Sequence, residues 1–130
     1  MKTFSLMLIS SDNHHEIDDL TSFVGEDSSG RFGILAGHQR LITSLVFGLM
    51  YFRRITGEKQ YLAVPGGLLY FLNDRLQIFT RHYLLSRDYG HISALLRSKF
   101  LEEEQNLHMI KESLRRMEES ILRHLWELSR

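Results

Sequence analysis

Gly48-Leu49-Met50-Tyr51-Phe52-Arg53-Arg54-Ile55-Thr56-Gly57-Glu58-Lys59-Gln60-Tyr61-Leu62-Ala63-Val64 is the stretch on which the fold turns. Leu49, Tyr51 and Arg53 alternate with Met50, Phe52 and Arg54, which puts the two sets on opposite faces of an extended chain. Thr56-Gly57-Glu58 supplies a turn, and Tyr61 to Val64 supplies a second apolar run, so residues 48–64 read as a β-hairpin. Downstream, Leu68 to Leu72 and Leu76 to Thr80 flank Asn73-Asp74-Arg75, a second hairpin signal. Upstream, Phe4, Leu6 and Leu8 alternate with Ser5, Met7 and Ile9. Several short strands with regular turns favour a sandwich or barrel. The run from Phe32 to Leu49 fits neither the strand nor the helix period well.

The pattern changes after residue 85. The single proline, Pro65, and eight of the nine glycines precede residue 86, and only Gly90 follows it. Residues 91–129 are dominated by helix formers, and Asp88 is placed to cap the first turn. Leu107, Ile110, Leu114, Met117, Ile121, Leu125 and Leu128 recur at intervals of three and four, a heptad-like seam. Glu112 with Arg116 and Glu119 with Arg123 are favourable four-residue pairs. Ile92, Leu95, Leu96 and Phe100 form a shorter stripe, separated from the seam by Glu102-Glu103-Glu104. That acidic run fits a hairpin turn or a solvated face of one long helix. Unbroken from 91 to 128, the helix would measure about 57 Å at 1.5 Å per residue. Its seam needs a cover, because helices in water are held mostly by packing.

The predicted fold class is therefore α+β: an N-terminal antiparallel β-sandwich over 1–85, then a C-terminal helical domain over 86–130, as a helical hairpin or one long helix.

The chain has 130 residues, with sixteen Lys and Arg against sixteen Asp and Glu. Each of the segments 1–85 and 86–130 is neutral by itself, with eight basic and eight acidic side chains apiece. A general nucleic-acid binder needs a basic face, so that class is disfavoured. The absence of cysteine excludes thiol catalysis, disulfides and cysteine-ligated zinc. No apolar run approaches the ~20 residues of a membrane helix, and the N-terminus carries no signal-peptide pattern, which points to the cytoplasm without direct membrane insertion.

Few residues suggest chemistry. His14-His15-Glu16 is the most metal-like cluster, but neighbours on an extended strand face opposite ways, so a solvated turn is the reading that spacing favours. Gly25 to Gly33 has glycines at tempting intervals. It lacks both the Gly-Lys-Ser/Thr end of a phosphate loop and the strand–helix context of a dinucleotide site, so it reads as a tight turn bearing charges. There is no Gly-x-Ser-x-Gly elbow and no His-Glu-x-x-His. No catalytic residue, metal site or cofactor is expected.

The segment Gly25-Glu26-Asp27-Ser28-Ser29-Gly30-Arg31-Phe32-Gly33-Ile34-Leu35-Ala36-Gly37-His38-Gln39-Arg40-Leu41-Ile42-Thr43-Ser44-Leu45 resembles the signature of the epsilon subunits of bacterial F-type ATP synthases. The family pattern there is Pro-Gly-x-x-Gly-x-Phe-Gly-Ile/Val-Leu-Pro-Gly-His-x-Pro-Leu-Leu-Thr-x-Leu. Tyr61-Leu62-Ala63-Val64-Pro65-Gly66-Gly67-Leu68-Leu69 likewise resembles the family's Tyr-x-Ala-Val-x-Gly-Gly-Phe. Val24, Ala36 and Arg40 stand where the common pattern has proline. The alanine-rich helical hairpin is not evident, and the Ile/Leu-Asp-x-x-Arg-Ala motif associated with ATP binding is absent. These departures resemble the divergent alternate (N-ATPase) branch, inferred to move sodium ions.

The resemblance implies a non-catalytic central-stalk subunit on the cytoplasmic face of a bacterial membrane. Its sandwich would sit between the gamma subunit and the ring of c subunits and couple ion-driven rotation to ATP synthesis. The turn bearing Asp27, Ser28, Ser29, Arg31 and Phe32 and the turn bearing His38, Gln39 and Arg40 would meet these partners. The helix would extend along gamma towards the alpha and beta subunits and hinder ATP hydrolysis. Two other classes follow from residues alone: a free-standing adaptor dimerising through the seam, and a metal-dependent enzyme using His14 and Glu16.

Overall fold

The computed structural model describes residues 2–128, without the side chains of Phe100 and Leu101. Among the described residues nine strands come first: β1 (Phe4–Ile9), β2 (His14–Asp27), β3 (Gly30–Leu35), β4 (Leu41–Leu45), β5 (Gly48–Arg54), β6 (Lys59–Val64), β7 (Gly67–Leu72), β8 (Arg75–Phe79) and β9 (Leu84–Ser86). Both hairpins read from the sequence are present, β5 with β6 and β7 with β8. The second closes through Asn73 and Asp74 at φ of 51° and 59°. Two successive left-handed residues match the twist of a two-residue hairpin, and Asn and Asp tolerate that region better than most side chains.

The strands pair in the order β1-β8-β7-β4-β2-β5-β6-β9, with β3 on β2 and β1 also on β2. β2 makes this a sandwich, because it serves both layers. Its first half, from His14 to Leu20, pairs with β1; its second half pairs with β5 and β3. Between the halves the register slips, and Asp19 takes φ of 64°. A bulge of this kind lets one strand bend from one sheet to the other. The alternation then delivers a single core. Phe4, Leu6, Leu8, Phe23, Met50, Phe52, Leu62, Leu69, Phe71, Leu76 and Ile78 are all buried in one cluster. Phe4 and Phe71 meet edge to face at 5.7 Å, a favoured aromatic geometry.

The ambiguous run 32–49 resolves into most of β3, all of β4 and the start of β5. Its alternation is masked because Leu35 and Ile42 lie on the exposed side.

Helix α1 (Tyr89–Leu95) starts as the sequence suggests. The Asp88 carboxylate accepts the His91 amide, and Ile92 is fully buried. The chain divides between Leu96 and Arg97 into two compact units, so α1 belongs with the strands. A π-helical turn, Leu96–Phe100, leads into α2 (Leu101–Leu128), which has 28 residues. No hairpin turn interrupts α2, and Glu102 to Glu104 lie within its first turn. Of the two helical readings, one long helix is the outcome. Of the shorter stripe, the Phe100 side chain lies outside the described residues. Within α2, Glu112 pairs with Arg115 at 2.9 Å rather than with Arg116.

Candidate functional site

The β2–β3 turn is built around Asp27. Ser28 and Ser29 form its exposed apex, and Gly30 closes it at φ of 123°, a region that favours glycine. Oδ1 of Asp27 accepts the Ser29 amide at 2.9 Å and the Ser29 hydroxyl. Oδ2 accepts the Thr43 hydroxyl at 2.7 Å. These bonds from Ser29 and Thr43 hold the Asp27 carboxyl below its usual 3.8, since donors to a carboxylate favour the ionised form. Arg31 is exposed, whereas Phe32 turns inward against the core.

The second predicted group, His38, Gln39 and Arg40, is exposed between β3 and β4. Asp74 tethers this loop by accepting the Gly37 amide at 2.6 Å. His38 lies edge-on to Phe71 at 5.9 Å, and its Nδ1 is 2.7 Å from the Gln39 carbonyl oxygen. The two groups do not converge. Asp27 pairs with Leu45 at one end of β4, while the 37–40 loop enters β4 at Leu41. Four residue steps at ~3.3 Å put them about 13 Å apart along the strand.

Sequence reasoning missed a third surface. Ile42, Leu68 and Phe79 are 55%, 44% and 40% exposed. Leu68 stands opposite both Ser44 and Phe79, Phe79 stands beside Ile9, and Ile42 stands opposite Tyr70. Directly paired residues share a face, so these side chains form an apolar stripe on the outside of one sheet. The available signal was consecutive apolar residues, Leu41-Ile42 and Leu68-Leu69, where alternation predicts a polar partner. Thr43 and Asp74, the residues that tie the two turns down, gave no comparable signal.

All seven seam residues, from Leu107 to Leu128, are exposed at 37–69%. Met109, Leu122 and Trp126 widen the apolar surface. His14, His15 and Glu16 are exposed at the start of β2, paired with Ile9, Leu8 and Met7, and so form strand rather than turn. Among the described residues, no group of three or more His, Asp or Glu is placed to hold a metal ion, and no helix is long and apolar enough to cross a membrane.

The model of the beta-sandwich domain of the ATP synthase delta/epsilon chain matches residues 3–85. An ATP synthase epsilon chain 2 from Cereibacter sphaeroides is 41% identical over 61 residues, which are 47% of this chain and 42% of the relative. An ATP synthase epsilon chain from Corynebacterium jeikeium is 27% identical over 116 residues, 88% of this chain and 94% of the relative. The chain thus spans less than half of the first relative and nearly all of the second. Among solved structures, a chain of the Euglena gracilis mitochondrial ATP synthase (OSCP/F1/c-ring) superposes with a TM-score of 0.62 at 20% identity, covering 80% of this chain and 64% of that one. At that identity the likeness concerns the fold.

Proposed function

The chain belongs to the ATP synthase delta/epsilon family, as an epsilon chain, and on that premise we propose that it works as a non-catalytic part of the central stalk. In this reading it transmits rotation of a membrane-embedded c ring, together with gamma, to the alpha and beta subunits that make ATP. The observation that carries the reading is the distribution of exposed contact surface. Two polar turns and one apolar sheet face are open on a sandwich whose core is closed, and the helical unit carries an exposed apolar seam of its own. A part gripped by several neighbours needs such separate surfaces, and the close-packed core keeps the sandwich stiff.

The roles divide by chemistry. Ser28, Ser29 and Arg31, with His38, Gln39 and Arg40, offer hydrogen bonds and positive charge to the polar loops of the ring and to gamma. The stripe of Ile42, Leu68 and Phe79 offers apolar area to gamma. The seam from Leu107 to Leu128 offers a helix-in-groove contact to gamma, or to alpha and beta, and would there restrain ATP hydrolysis. The site of action is the cytoplasmic face of a bacterial membrane. The similarity to an epsilon chain 2 fits the divergent N-ATPase branch, as do the non-proline residues Val24, Ala36 and Arg40.

The free-standing adaptor reading rests on the seam alone and leaves the match over residues 3–85 without meaning. Co-expression of the tagged chain with gamma and the c ring tests the assignment. Retention of both partners through washing in salt and detergent is the expected result, and recovery of the chain alone would overturn it.

A further inference from the structure

We propose that Asp27 is a positioning residue, which with Thr43 forms a clasp that closes the two sheet layers and fixes the Ser28–Phe32 turn in its docking shape. The inference rests on the assembly role above and deepens it. It assigns Asp27 to holding the contact surface, while Ser28, Ser29 and Arg31 form that surface.

Three observations support it. First, the junction between β2 and β4 is thin. A single register pair, Asp27 with Leu45, joins them, whereas β4 pairs along its whole length with β7. One backbone bond, from the Val46 amide to the Glu26 carbonyl at 3.2 Å, lies beside that pair. The Thr43–Asp27 bond at 2.7 Å spans the same junction. Second, Asp27 is only half-exposed and lies on the strand face that it shares with Leu45. Directly opposed residues share a face, and Leu45 opposite it is buried. Third, both carboxylate oxygens are already engaged, Oδ2 across the junction and Oδ1 along the turn to Ser29. One side chain therefore links the apex of the turn to the neighbouring layer. A load applied at Arg31 would pass through Asp27 and Thr43 into β4 and β7.

Thr43→Val in the full chain is the primary test, because it removes the hydroxyl and keeps the shape. Asp27→Asn, which keeps the size and loses one acceptor, is the second variant. The readouts are amide hydrogen exchange at Ser29 to Phe32, with Leu69 and Phe71 as core references, and affinity for a gamma–c-ring subcomplex. Both variants should exchange about fivefold or more faster in the turn, the size expected for one lost hydrogen bond, with the core amides unchanged. Docking should weaken by a similar factor, and Thr43→Ser should restore both. Unchanged exchange in the turn would overturn the clasp, and so would faster exchange with undiminished docking. If the unaltered chain failed to dock, the assembly role would fall, while the exchange comparison would still decide the clasp.

Discussion

The ring of Phe32 lies across the backbone of Gly25, and a methyl group built on Gly25 would stand 2.9 Å from Phe32 Cζ and 2.9 Å from Phe23 Cε1. The glycine is thus needed as a gap: it seats the aromatic ring that anchors the β2–β3 turn to the core. Gly25→Val should force both rings to move and lower stability by about 1–3 kcal/mol, the usual range for overpacking. Gly33 gives the contrast. Its φ is ordinary for a strand, and an added Cβ would meet only the Phe23 carbonyl oxygen at 3.9 Å. Gly33→Val should leave the melting temperature nearly unchanged. Urea titration of both variants checks the pair.

Acid should loosen the same turn. The Asp27 carboxyl is held below its usual 3.8 by Ser29 and Thr43, so the fold binds fewer protons there than the unfolded chain does. Stability therefore rises with pH in that region. The contribution of Asp27 is complete above its unfolded value and is lost as the pH falls through its lower folded value. Denaturant midpoints measured from neutral pH down to about 2 should show a decline beginning below about pH 4. Asp27→Asn should remove part of that decline while leaving any contribution from other carboxylates.

Asp74 has two separable duties, a left-handed backbone at φ of 59° and the tether to the Gly37 amide at 2.6 Å. Asp74→Gly keeps the first and drops the second; Asp74→Ala drops both. Loss of the tether alone should cost about 0.5–1.5 kcal/mol. The Ala variant should be less stable than the Gly variant by roughly another 1 kcal/mol, the cost of a Cβ in that region. Equal stability of the two would mean that the turn conformation contributes nothing. Thermal melts of both, with His38 ring signals by NMR, read the comparison.

Much of the body was legible in the sequence, and the reason is local. Thr56-Gly57 and Asn73-Asp74 mark turns that depend only on neighbouring residues, and Phe4, Leu6 and Leu8 recur at every second position because that side of the strand faces the core. The parallel pairing of β1 with β8 was not legible, since it joins residues some seventy positions apart. β3 and β4 were obscured by Leu35 and Ile42, whose exposure breaks the expected period. Of the candidate site, the sequence showed two groups of mostly polar residues and not their arrangement. That Asp27 and His38 sit at opposite ends of β4, and that Thr43 holds Asp27, follow from strand register, which no single segment encodes. The helical seam was plain because the three–four spacing is a local pattern.

Met117→Asp separates the seam's role from the helix's own stability. Met117 is exposed, so the substitution should cost the isolated chain only about 0.5 kcal/mol in helix propensity. In an apolar contact the same charge is expensive, because it must be desolvated without a partner. Circular dichroism of the free chain should be nearly unchanged, while affinity for gamma or for the alpha–beta head should fall at least tenfold. An unaltered affinity would place the seam in solvent.

Ion-driven ATP synthesis in vesicles bears most directly on the stalk assignment. Membranes carrying the complete complex would be stripped of this chain, energised with an ion gradient, and assayed before and after the purified chain is added back. Synthesis should collapse on stripping and recover in proportion to the chain rebound. Equal synthesis with and without the chain would contradict the account.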